Sequence, residues 1–173
     1  MMMRQAPAFA LAALLLLLLL SAAAHATVES TCKSISNVKY DFCVKTLKSD
    51  PSSGTADVRG LAVIATNLSL KNATKIAGKI KHLLKSSQDK AQKESLSTCA
   101  ELYSNLIDNL DTSLSAIKES RKGDAMTYLS ASLDAPGDCE QGFKDTGAKS
   151  PLVAEDDEQR QLCGLALGIT NLT

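Results

Sequence analysis

The sequence predicts an all-α protein, an antiparallel four-helix bundle preceded by a disulfide-tied N-terminal helical hairpin. Three observations carry this. Apolar residues recur at steps of three and four over long stretches from Asp57 onward, the period of a helix with one buried face. The breaks between those stretches are short and polar, so consecutive helices turn back on one another. Five cysteines follow a segment that reads as a secretion signal, and a secreted chain of this size is expected to form disulfides. Three Tyr, three Phe and no Trp, with few β-branched runs, disfavour a β-sandwich.

Residues 1–26 read as a signal peptide. Arg4 is the basic start, residues 11–20 are an apolar run, and Ala24-His25-Ala26 has the small-x-small pattern of a cleavage site. Cleavage after Ala26 leaves a domain over 27–173. The competing reading is a membrane anchor, but no stop-transfer charge cluster follows, and no second apolar segment reaches membrane length. Cleavage removes Arg4 and no acid from a chain with 19 basic and 19 acidic residues, leaving a formal charge of −1.

Residues 27–50 predict the hairpin. Cys32 and Cys43 bracket a polar turn, Ser34 to Lys39, and a bridge between them fits two short helices folded back on each other. Such a bridge contributes about 2.8 kcal/mol in the chain-entropy model. A segment this short has no core of its own, so the staple is physically sensible. The break SDPSSGT at 49–55 follows, and the bundle is expected over 56–173.

The first bundle helix starts at Asp57 and carries Val58, Leu61, Ala65, Leu68, Asn72, Ile76, Ile80 and Leu83 on one stripe. A break near 86–90 separates it from the second. There Leu96, Tyr103, Leu110 and Ile117 recur every seven residues, with Cys99, Leu106 and Ser113 between them; this is a lengthwise packing seam. Arg121-Lys122-Gly123-Asp124 is expected to end it, with Gly123 as left-handed cap and Asp124 capping the next helix. The third element carries Met126, Tyr128, Leu129 and Leu133, and Ala135-Pro136-Gly137 is expected to break or kink it before Cys139 to Lys144 resumes. After a loop near Gly147, Ser150 reads as an N-cap and Pro151 as the first helical position. Glu155, Asp156, Asp157 and Glu158 then lie where a helix dipole favours acids and are expected to be solvated. Leu162, Leu165, Ala166, Ile169 and Leu172 form the last buried stripe.

An odd cysteine count leaves one thiol unpaired and fifteen possible arrangements. Cys99 and Cys139 both fall among core positions, and a bridge there would contribute about 3.9 kcal/mol in the same model. Cys163, beside Leu162, suits a buried, inert thiol.

Little chemistry is on offer. Only His82 remains after cleavage, and a nucleophile needs an adjacent base. No CxxC or HExxH pattern suggests zinc, no glycine-rich loop suggests a nucleotide, and residues 155–158 lack the glycine turn of a calcium loop. No cofactor or metal is expected. The balanced charge disfavours nucleic acid. Two sequons, at Asn67 and Asn72, are glycosylation candidates; Asn72 lies on the stripe assigned to the core, a conflict. A third, at Asn171, touches the end of the chain.

The chain resembles the plant invertase/pectin methylesterase inhibitor family. The resemblance rests on CKSISNVKYDFC followed by VKTLKSDP, DVRGLAVIA, TCAELYSNLIDNL, YLSASLDAPGDCEQGF and LCGLALGITNL, which span the region after residue 26. It implies a helical hairpin on a four-helix bundle, disulfides Cys32–Cys43 and Cys99–Cys139, and an apoplastic or cell-wall protein that is not an enzyme. It implies a 1:1 complex with a pectin methylesterase, in which exposed helix faces occlude the substrate groove, or, alternatively, inhibition of acid invertase. Cell-wall invertase inhibitors of this family insert a Pro-Lys-Phe after Lys-Gly-Asp. Here Lys122-Gly123-Asp124 is followed by Ala125-Met126-Thr127, which leans towards the esterase, as does a fifth cysteine at Cys163. Many members carry Trp where this chain has Tyr128, read here as a packing difference. Lys71, Lys75, Asp108, Asp111 and Ser115, off the assigned seams, are the candidate contact residues, and acids at the contact would make binding depend on pH. Other classes are a secreted lipid carrier, whose plant eight-cysteine pattern is absent, and a non-inhibitory signalling or wall protein.

Overall fold

The computed structural model describes residues 27–173, so the signal peptide read from residues 1–26 lies outside the described residues. Among them are six α-helices, one 3-10 turn and no strand. Helices α1 (Val28–Lys33) and α2 (Tyr40–Lys48) form the hairpin, and the turn Pro51–Gly54 leads into the bundle. The bundle consists of α3 (Val58–Ser86), α4 (Lys90–Lys118), α5 (Lys122–Thr146) and α6 (Val153–Thr170). Both α4 and α6 pack against α3 and α5, which closes the four into a ring around one core.

Local chemistry explains where the helices start. Asp57 Oδ1 accepts from the Gly60 amide at 2.7 Å and Asp89 Oδ1 from the Gln92 amide at 2.7 Å. Thr27 Oγ1 accepts from the Ser30 amide at 3.1 Å. Each bond satisfies a donor that the first helical turn leaves unpaired. The seam of α4 is buried at every heptad position read from the sequence: Leu96, Cys99, Tyr103, Leu106, Leu110, Ser113 and Ile117.

The structure joins Cys32 to Cys43 and Cys99 to Cys139, and Cys163 is free and buried. The hairpin docks on the bundle through buried Val28, Ile35 and Leu47. Asn37 Nδ2 donates to the Gly164 carbonyl at 2.8 Å. Glycine makes this close approach possible: a Cβ on Gly168 would lie 2.6 Å from Asn37 Oδ1 and 3.3 Å from Ile35 Cγ2.

Five sequence expectations are corrected. The left-handed residue after α4 is Ser120, with φ 63°, not Gly123. The Arg121 amide reaches the Ala116 carbonyl at 2.8 Å and the Ser120 amide the Ile117 carbonyl at 3.1 Å, the paired bonds of a Schellman end. Gly123 is therefore already helical, and Asp124 pairs with Arg121 instead of capping α5. Of the break or kink expected at Ala135-Pro136-Gly137, the break is absent: α5 runs from Lys122 to Thr146 with Pro136 inside it. An interior proline costs about 3 kcal/mol; burial of Ala135 and Pro136 and the Cys139 bridge to α4 hold the helix through it. Ser150 is not the cap of α6, which starts at Val153 after Leu152. Its Oγ instead accepts from the Leu152 amide at 3.0 Å and donates to Glu140. Finally, Leu172 lies past α6 and is exposed.

Candidate functional site

Two regions bear on function: an outward face of α4 and α5, and a polar seam inside the bundle.

On α4, Asp108, Asp111 and Ser115 are exposed and follow each other at steps of three and four, so they form one stripe. The neighbouring helix contributes to the same level. The Cys99–Cys139 bridge and the bond from Ser95 Oγ to the Gly142 carbonyl at 3.1 Å set an antiparallel register. That register places Tyr128 level with residues 109 and 110. Tyr128 is 36% exposed, and the buried residues of its helix are the small or apolar Ala125, Leu129 and Ser132 around it. The Tyr128 difference is thus a surface feature and not the packing difference expected. A solvent-facing aromatic is the kind of side chain that anchors protein interfaces.

Lys71 and Lys75 are exposed, but they sit elsewhere. They line a groove between α2, α3 and α6. The five candidate contact residues therefore fall into two sets that the fold does not bring together.

The polar seam runs between α3, α4, α5 and α6. Gln159, fully buried, donates from Nε2 to Ser69 Oγ at 2.9 Å and to Cys163 Sγ at 3.3 Å. Its Oε1 accepts from Asn72 Nδ2 at 3.1 Å. The half-buried Asn72 amide is thus used in the fold, whereas Asn67 is exposed. Burial pushes the Cys163 thiol up, away from the reactive thiolate.

One of the four acids at the start of α6 is not solvated. Asp156 is 3% exposed and accepts from the Tyr103 hydroxyl at 2.5 Å. Among the described residues its Oδ2 has no hydrogen-bond partner. Burial pushes its carboxyl up to about 8; the Tyr103 bond pulls it down, and Glu140 and Glu155 push it up again. Burial likewise raises the Tyr103 phenol above its ordinary range. Tyr103 on a core seam was a legible clue, since a buried tyrosine hydroxyl seeks a partner. Which acid answers it depends on the register of α4 against α6. Glu155 is half-buried and pairs with Lys79 of α3, and Asp157 lies 3.7 Å from Arg160.

Among the described residues no group of His, Cys, Asp and Glu is arranged to hold a metal. None of the described helices is long and apolar enough to cross a membrane. His82 is exposed near the end of α3. What the arrangement offers is a stapled body with a polar, aromatic-bearing face.

The model of the family described as plant invertase/pectin methylesterase inhibitor matches residues 26–169. A Platanus acerifolia protein named "Putative invertase inhibitor" is 39% identical over 150 residues, covering 84% of this chain and 84% of its own length. An Arabidopsis thaliana "Cell wall / vacuolar inhibitor of fructosidase 2" is 34% identical over 146 residues, covering 82% of this chain and 80% of its own length. The fold is similar to the crystal structure of a mutant form of a pectin methylesterase inhibitor from Arabidopsis, with a TM-score of 0.72, 23% identity and coverage of 84% and 95%.

Proposed function

The chain belongs to the plant invertase/pectin methylesterase inhibitor family, and from that premise we propose that it is a secreted inhibitor of a plant pectin methylesterase. It acts in the cell wall by binding the enzyme one to one and covering its substrate groove. The observation that carries the choice of target is the start of α5. After Lys122-Gly123-Asp124 the chain is already helical, and Ala125 is 0% exposed. No projecting Pro-Lys-Phe segment stands there to enter an invertase. The face assigned to the contact is Asp108, Asp111 and Ser115 with Tyr128. A disulfide-stapled bundle has little conformational freedom to lose on binding, which favours affinity.

A second reading is inhibition of acid invertase, favoured by the names of the 39% and 34% identical relatives. Titrating residues 27–173 against a pectin methylesterase and an acid invertase in parallel separates the two. Esterase activity falling to zero near one inhibitor per enzyme, with invertase unaffected, is the expected result. Invertase loss with esterase untouched reverses the assignment.

A further inference from the structure

We infer that the groove between α2, α3 and α6 binds an acidic oligosaccharide, a short uronate chain, on a face separate from the one assigned to the enzyme. The groove has a volume of about 620 Å³, within the range of small-ligand sites. Its floor is apolar: Leu162 is buried, and Phe42 and Leu68 are half-buried. Its rims are cationic. Lys71 and Lys75 stand one helical turn apart on α3, and Lys45 comes from α2. All three are exposed, and none makes an ion pair within 4.0 Å among the described residues. Three cations against one carboxylate, Glu158, over a low-dielectric floor favour a positive potential in the groove.

The rest of the lining selects among anions. Glu158 also borders the groove, with the Thr46 and Ser49 hydroxyls. A carboxylate there accepts hydrogen bonds from sugar hydroxyls. A uronate chain offers all that the groove asks for: carboxylates for the lysines, hydroxyls for Glu158, and C–H faces for Phe42, Leu68 and Leu162. A fatty acid would need its tail enclosed, whereas Phe42 and Leu68 are both partly open to solvent. The groove also requires Asn72, which lines it, to be free of glycan. Its amide donates one of its two N–H groups to Gln159.

The test is calorimetric titration of the secreted protein with trigalacturonate. Galacturonate is chosen because the proposed target acts on that polymer, so the probe rests on the reading above. No enzyme is present, so a failure here is distinguishable from a failure of inhibition. Binding should weaken at least tenfold for the methyl-esterified trimer, and again for the Lys71→Gln/Lys75→Gln variant, and should weaken with added salt. The control variant Lys85→Gln/Lys118→Gln carries the same charge change on exposed sites off the groove and should bind normally. The proposal is overturned by no binding, by equal binding of the ester, by equal loss in the control, by dodecanoate binding with competition, or by mass spectrometry showing Asn72 fully glycosylated.

Discussion

The hairpin and the bundle reach order by different means. The bundle buries a continuous core along four helices of 18 to 29 residues. The hairpin helices have 6 and 9 residues, too short to be stable alone. They are held by Cys32–Cys43, a few apolar anchors and the Asn37 bond to the backbone of α6. The lesson is that a disulfide does different work in each. In the bundle it adds to packing that already specifies the structure; in the hairpin it stands in for packing that is missing.

Substitutions can break this comparison. The largest expected effect is global. Cys99→Ala with Cys139→Ala lowers unfolding stability by about 3.9 kcal/mol in the chain-entropy model, in a denaturant transition that stays cooperative. The next is local. Cys32→Ala with Cys43→Ala costs about 2.8 kcal/mol in the same model, read as faster hydrogen exchange across α1 and α2 with protection in α3 to α6 retained. A loss spread evenly over the molecule would instead make the hairpin part of the cooperative core. Smaller still is Gly168→Ala. Its Cβ would press on Asn37 Oδ1 at 2.6 Å, so the Asn37 side chain must shift and its hydrogen bond is lost, about 1 kcal/mol. Exchange in the turn at 34–39 should rise while α4 and α5 do not change.

The last is a slope with pH, and it belongs to the bundle alone. The Asp156 carboxyl sits at about 8 when folded, above its ordinary 3.8, so folding takes up a proton. Its contribution is complete below 3.8 and is lost as pH rises through about 8. Melting temperature should therefore fall between pH 5 and pH 8.5, and Asp156→Asn should flatten that fall. An unchanged slope in the variant would place the titration elsewhere.

Much of this was legible in the sequence, and the exceptions share a cause. The seam of α4 reads cleanly because each heptad position answers to one partner surface. The continuity of α5 through Pro136 does not, because local propensity opposes it and only burial against α4 and α6 outweighs it. The cap at Ser120 was missed because glycine at 123 is the stronger local signal, while the Schellman bonds close three residues earlier. Asp156 was hidden among four consecutive acids. Sequence gives all of them the same dipole argument, but the helix turns only one inward to Tyr103. Likewise sequence places Lys71 and Lys75 in one candidate contact set with Asp108 and Asp111, whereas the fold puts the lysines on a groove with α2 and α6.

The central claim is that inhibition resides on the bundle face of α4 and α5 and not on the hairpin. The most direct measurement titrates a pectin methylesterase with two proteins: Asp111→Lys/Tyr128→Ala, and Cys32→Ala/Cys43→Ala. The first should raise the inhibition constant at least tenfold, as loss of an interface anchor does, with its melting temperature unchanged. The second should inhibit nearly as well as the unmodified protein. Full inhibition by the first and none by the second would contradict the account and move the contact to the hairpin.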